Sequence, residues 1–152
     1  MGDVNSDGVP DLAVGSPGQR AVVILSGVTG ARLHTLRSPS PQVGANFGAT
    51  LVEMGDGDGD GVHDFAVGAP GQDVGSCCDQ GQVTVFSGVD GTRLLTLPPR
   101  PQPGANFGTA LTSVGDINGD GVPDLAVSAP GQDARGLVDL GQVFVFSVST
   151  SP

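Results

Sequence analysis

Apolar residues along this chain gather into short runs, four to seven residues long, each bounded by Gly, Pro or Asp. One complete set reads in order: strand A after Phe47 (GATLVEM), strand B from Asp64 (DFAVGAP), strand C from Gln82 (QVTVFSG) and strand D from Thr92 (TRLLTL). Runs of that length between turn formers predict strands. Ala21-Val-Val-Ile-Leu25 and Val143-Phe-Val-Phe146 do not alternate apolar with polar, so strand C is expected to be covered on both faces. Four-stranded antiparallel sheets sandwiched between neighbours describe β-propeller blades, and the predicted fold class is all-β.

The same pattern repeats with a period of about sixty residues. PGQ recurs at Pro17, Pro70 and Pro130, GANFG at Gly44 and Gly104, and RLxTL at Arg32 and Arg93. The whole chain, 1–152, is thus expected to be one propeller region of three repeats, approximately 1–43, 44–103 and 104–152. The first lacks strand A and the third lacks strand D, which predicts 3 + 4 + 3 = 10 strands. Antiparallel order sends the A–B and C–D connections to one end of each blade and the B–C and D–A connections to the other. Three blades do not close a ring when propellers typically have about 4–8. Either the missing blades belong to a longer chain, or several copies assemble into a homo-oligomer that buries the exposed Val-, Leu- and Phe-rich faces.

Composition alters this picture in two places. Gly (26) and Pro (12) make up a quarter of the 152 residues, a low-complexity signal that strict recurrence overrides. Net charge is −10, and ten of the 16 acids fall in three copies of one nine-residue phrase. With only six Lys and Arg the chain cannot neutralise a run of phosphates, which excludes nucleic acid as a partner. The longest apolar run, Ala21–Leu25, is too short for membrane insertion. Met1 leads directly into the first acidic phrase without a secretory leader. The adjacent Cys77 and Cys78 are too few for a disulfide framework, and free or intermolecular thiols are expected ahead of a strained vicinal bond.

The acidic phrases are DVNSDGVPD (from Asp3), DGDGDGVHD (from Asp56) and DINGDGVPD (from Asp116), each in an A–B connection. Oxygen side chains stand at positions 1, 3, 5 and 9, with Gly at 6 and, at 7, a Val whose carbonyl can turn inward. Calcium takes about 6–8 oxygen ligands in irregular geometry, and this spacing supplies most of them. The expected ligands are Asp3, Asn5, Asp7, Val9 and Asp11; Asp56, Asp58, Asp60, Val62 and Asp64; and Asp116, Asn118, Asp120, Val122 and Asp124. Three divalent ions would bring the formal charge to −10 + 6 = −4. An EF-hand shares this opening but closes on a Glu at position 12, where Val14, Val67 and Val127 stand here. The plainer alternative is an acidic turn whose carboxylates only accept backbone hydrogen bonds. One such turn needs one Asp, not four oxygens in register three times.

The order Phe-Gly, then GDxNGDGxxDLxVGAP, then GxVxVFSG resembles the FG-GAP repeat of integrin alpha-subunit propellers and their bacterial relatives. The Phe-Gly pairs are Phe47-Gly48 and Phe107-Gly108; the second element reads Gly15-Ser16-Pro17, Gly68-Ala69-Pro70 and Ser128-Ala129-Pro130, so Ser16 and Ser128 depart from the pattern. The resemblance implies a seven-bladed propeller, calcium in A–B loops on the face away from the ligand-binding loops, and an extracellular or cell-surface setting.

Other chemistry is sparse. His34 and His63 do not recur and have no Ser or Cys partner in a motif, so both are expected to be ordinary strand or surface residues. The six Phe are expected in the core, and Arg32 and Arg93 as salt-bridge partners or edge charges on strand D. No catalytic residue is assigned. The reading is a non-enzymatic, calcium-binding propeller module, a scaffold whose B–C and D–A loops bind a protein or glycan. Its alternatives are an accessory region of a secreted carbohydrate-active enzyme and a self-assembling propeller fragment.

Overall fold

The computed structural model describes residues 2–76, 78–97, 102–133 and 136–148. Among them, ten strands form three antiparallel sheets. Blade one holds β1 (Leu12–Ser16), β2 (Ala21–Leu25) and β3 (Arg32–Arg37) in that order. The central blade holds β4 (Thr50–Glu53), β5 (Phe65–Ala69), β6 (Gln82–Phe86) and β7 (Arg93–Leu97). Blade three holds β8 (Leu111–Ser113), β9 (Leu125–Ala129) and β10 (Gln142–Phe146). These are propeller blades, with strands A to D of the central blade realised as β4 to β7.

The B–C connection is short in blade one, a 3-10 turn at Pro17–Gln19 with Arg20 in the left-handed region at φ 55°. In the other two blades the longer insertions are tied to the preceding D–A segment by paired glutamines. Gln72 Nε2 donates to Gln42 Oε1 at 2.6 Å, and Gln132 Nε2 donates to Gln102 Oε1 in the same way. In these two blades the glutamine of PGQ clamps one connection to the other, whereas Gln19 of blade one is an exposed residue of the short turn. Cys78 is exposed and free, while Cys77 lies outside the described residues.

Two cores lie between blades, not within one. Val22 and Ile24 of β2 meet Phe65, Val67 and Ala69 of β5, with Phe47 and Phe86 among them. Val83 and Val85 of β6 meet Leu125, Val127 and Ala129 of β9, with Phe107 among them. Alternation along a strand sends successive side chains to opposite faces, so β5 gives Phe65 and Val67 to one core and Ala66 to the other. This is why the central strands are apolar at nearly every position.

Each D–A segment acts as a plug. Asn46 (φ 57°) and Asn106 (φ 52°) adopt the left-handed turn conformation that Asn tolerates. The turn then drives the next residue inward: Phe47 is 1% exposed and Phe107 is fully buried. Their rings stand edge-on to Phe86 and Phe146 at centroid distances of 6.0 and 5.7 Å. Arg32 and Arg93 begin β3 and β7 as exposed residues.

One expectation fails. Strand C is covered on both faces in the central blade, but in blade three β10 alternates, with Val143 and Val145 exposed and Phe144 and Phe146 turned inward. The residues are as apolar as those of β6; no described sheet lies against their second face.

Candidate metal centres

All three acidic phrases sit at the same end of their blades, between the A and B strands or, in blade one, ahead of β1. Their local folding follows from the position-1 carboxylate. Asp56 accepts the N–H groups of Gly59, Asp60 and Gly61 at 2.7, 3.0 and 2.8 Å, wrapping the loop around itself. Asp116 does the same with Gly119, Asp120 and Gly121 at 2.6, 3.1 and 2.8 Å. Asp3 accepts Asp7 and Gly8 at 2.9 and 2.6 Å. The tight curl places Gly8, Gly61 and Gly121 at φ 87°, 90° and 88°, a region that glycine alone enters freely.

Positions 3 and 5 continue the curl. Asn5, Asp58 and Asn118 each accept the N–H of the position-5 aspartate, at 3.1, 3.1 and 2.8 Å. Asp7, Asp60 and Asp120 accept the N–H of Val9, Val62 and Val122 at 3.0, 2.9 and 2.9 Å. The position-1 carboxylates are thus held by backbone donors through both oxygens, whereas those at positions 3 and 5 receive a backbone donor on one oxygen only.

Position 9 is different, because it is buried. Asp11 is 4% exposed, Asp64 0% and Asp124 2%. Asp64 accepts Gly57 N–H at 2.8 Å and, across to the C–D turn, Gly88 N–H at 3.2 Å. Asp11 accepts Val4 at 2.8 Å and Gly27 at 2.9 Å in the matching places. Asp124 accepts Ile117 N–H at 2.9 Å, but Val148 occupies the slot of Gly88, and the amide of Asn118 reaches Asp124 at 3.3 Å.

The serine after strand C belongs to this site, although it carried no role in the sequence reading. Ser87 Oγ donates to Asp60 at 3.1 Å and Ser147 Oγ to Asp120 at 2.9 Å, while Ser26 Oγ stands 3.5 Å from Asp7. Recurrence of Ser-Gly at Ser26-Gly27 and Ser87-Gly88 was the available signal. His63 is an exposed surface residue, as expected, and its Nδ1 lies 2.8 Å from Glu53, which also accepts Gly2 N–H at 2.6 Å. That contact occurs once and left no repeat signature.

The electrostatics of the second loop are those of an unneutralised cluster. Asp56, Asp58 and Asp64 each place an oxygen within 4.8 Å of the others. Burial, reinforced by the charges of Asp58 and Asp60, pushes the Asp64 carboxyl up to about 6 despite two backbone donors. Burial and the neighbouring Asp60 and Asp56 also raise Asp58. For Asp56 burial pulls upward, but the donors Gly61, Gly59 and Asp60 prevail and lower it. Burial and the charges of Asp58 and Asp60 hold the proton on Asp64, and a hard cation among these oxygens would offset that effect. All-oxygen donors at alternate positions fit calcium chemistry.

Blades with buried inter-blade cores, joined to acidic A–B loops, define an integrin-like propeller module. The chain belongs to the FG-GAP repeat family, whose pattern matches residues 1–31, 49–86 and 107–146. It is similar to integrin alpha-PS5 of Drosophila melanogaster, 35% identical over 151 residues covering 87% of this chain and 14% of that protein. Integrin alpha-IIb of Homo sapiens is 37% identical over 148 residues, covering 85% and 14%. Integrin alpha-5 of Xenopus laevis is 30% identical over 174 aligned positions, covering 99% and 16%. The chain thus spans about a seventh of the length of these relatives. No helix among the described residues is long and apolar enough to cross a membrane.

Proposed function

We propose that this chain is a calcium-stabilised, non-enzymatic propeller module that serves as a scaffold for adhesion or ligand binding outside the cell. The observation that carries the reading is the second loop, where three carboxylates converge within 4.8 Å and one of them is fully buried. Side chains of Asp56, Asp58, Asp60 and Asp64 and the carbonyl of Val62 would hold the ion. Asp3, Asn5, Asp7, Val9 and Asp11 would do so in the first loop, and Asp116, Asn118, Asp120, Val122 and Asp124 in the third. Bound calcium would supply the positive charge that lets these carboxylates ionise together.

The position-9 aspartates give the ion its structural leverage. Each is hydrogen-bonded to its own loop, and Asp11 and Asp64 also reach the C–D turn, so an ion held there fastens two connections of one blade. The opposite end, with the B–C insertions and D–A plugs, is left for a protein or glycan ligand. The integrin relatives support an extracellular or cell-surface setting, and the end blades are completed by further blades or by another copy.

Calorimetric titration of metal-free protein with calcium tests the reading. Uptake of up to three ions at loop-specific affinities is expected, with the second loop changed most by Asp58→Ala. Absence of calcium uptake would overturn it.

A further inference from the structure

The position-5 aspartates are reached by a hydroxyl from outside the acidic phrase. Asp60 is held on both oxygens: Oδ1 accepts Val62 N–H at 2.9 Å and Oδ2 accepts the Ser87 hydroxyl at 3.1 Å. Asp120 is held alike, by Val122 N–H on Oδ1 at 2.9 Å and by Ser147 on Oδ2 at 2.9 Å, with Asn118 Nδ2 also on Oδ2 at 3.1 Å. Asp7 accepts Val9 N–H at 3.0 Å, while Ser26 Oγ stands 3.5 Å from its Oδ2. Each serine directly follows strand C of its blade, after β2, β6 or β10. The contact therefore joins the end of strand C to the A–B loop.

The hydroxyl is itself oriented. Ser87 Oγ accepts Val89 N–H at 3.2 Å and Ser26 Oγ accepts Thr29 N–H at 3.2 Å, both from the C–D turn. A serine hydroxyl has one hydrogen to donate and lone pairs to accept with. With the turn amide on a lone pair, the hydrogen is left for the carboxylate. Ser26 and Ser87 are buried, so the turn amide and not bulk water fills that lone pair.

We infer that this serine is a positioning residue for calcium at its loop: its hydroxyl fixes the plane of the position-5 carboxylate, which then meets the ion without first losing rotational freedom. The inference rests on the calcium reading proposed above and extends it to a residue beyond the nine-residue phrase. An ionised carboxylate has about four lone-pair sites, so the two donors on Asp60 leave room for a cation on the same group. Outer hydrogen-bond partners of metal ligands typically account for about 10–100-fold in affinity. The contacts of 2.9, 3.1 and 3.5 Å assign the largest effect to Ser147 and the smallest to Ser26. In the third loop Val148 stands where Gly88 donates to Asp64, and among the described residues Ser147 is the hydrogen bond that ties the loop to the end of strand C.

Calcium titration of the 152-residue chain, followed by the amide NMR signals of Gly8, Gly61 and Gly121, tests it. Each of these amides is bonded to the position-1 carboxylate of its own loop and so reports that loop alone. Ser147 is exposed, and both Ser147→Ala and Ser147→Thr are accommodated without repacking. Ser147→Ala is expected to move the Gly121 midpoint to about tenfold higher calcium, with the Gly8 and Gly61 midpoints and the calcium-free melt unchanged. Ser147→Thr keeps the hydroxyl and is expected to restore the wild-type midpoint. Ser87→Ala is expected to move the Gly61 midpoint alone. An unchanged Gly121 midpoint in Ser147→Ala overturns the inference. So does an equal shift of all three midpoints, or a loss in Ser147→Thr as large as in Ser147→Ala, since either makes the serine a packing element. If no glycine signal of the wild type responds to calcium, the metal assignment fails and this inference with it; a responsive wild type with an indifferent Ser147→Ala sinks this inference alone.

Discussion

At the scale of single residues, position 9 and position 3 of the acidic loops do different work. Asp64 is buried and satisfies two backbone N–H groups, whereas Asp58 is half-buried and accepts one, from Asp60. Asp64→Ala strands both donors and is expected to cost about 2–4 kcal/mol even without calcium. Asp58→Ala should change calcium-free stability by only about 0.5 kcal/mol while weakening metal uptake; urea unfolding with and without calcium separates the two. A pH effect follows from Asp64, whose carboxyl rises from 3.8 to about 6 on folding. Because the folded state holds this proton more tightly, its contribution to stability is full below 3.8 and is lost as pH rises through about 6. Melting temperatures of calcium-free protein should therefore fall across that window. Saturating calcium should flatten or reverse the slope, since the ion replaces the proton. The oxygen spacing was legible in the sequence because the oxygen-bearing side chains recur at fixed offsets. Burial of position 9 was not, since it depends on the C–D turn arriving from 24 residues away.

At the scale of elements, the C–D turn and the D–A plug connect loops to blades. A methyl group at Gly88 would lie 2.2 Å from the His63 carbonyl oxygen, and at Gly27 2.0 Å from that of Pro10. Gly88→Ala is expected to destabilise by about 1–3 kcal/mol and to weaken calcium binding at the second loop, read by denaturant melts and titration of the same variant. Val148 stands at the equivalent place in blade three and is 2% exposed, packed into the core beside the central blade. The third loop accordingly uses the Asn118 amide where the others use a backbone donor. Phe107→Ala should cost about 3–5 kcal/mol, because its ring fills the joint between the central blade and blade three. Strand identities and their 3 + 4 + 3 grouping could be read from turn-bounded apolar runs. The glutamine clamps could not, because a repeated glutamine has no distinctive pattern until its partner is near.

At the scale of the whole molecule, two inter-blade cores hold the sheets together, and the proposed calcium would add to their stability. Under the proposed function, calcium at ten times its dissociation constant would contribute about 1.4 kcal/mol per site, or about 4 for three. For a chain of this size each kcal/mol shifts melting by about 2–4 °C, so chelation should lower the midpoint by about 8–16 °C, measurable by calorimetry. Without an ion the net charge is −10, with ten acids in the three acidic loops. By itself the sequence determined the blade repeat, the strand order and the oxygen-bearing positions, because strand alternation, turn residues and ligand spacing are local properties. Only the tertiary structure decided which apolar residues are core. Val83 and Val143 are the same residue at the same register, one fully buried and the other 68% exposed. Burial belongs to the neighbour that arrives, and a strand's sequence states its apolar faces without stating what covers them.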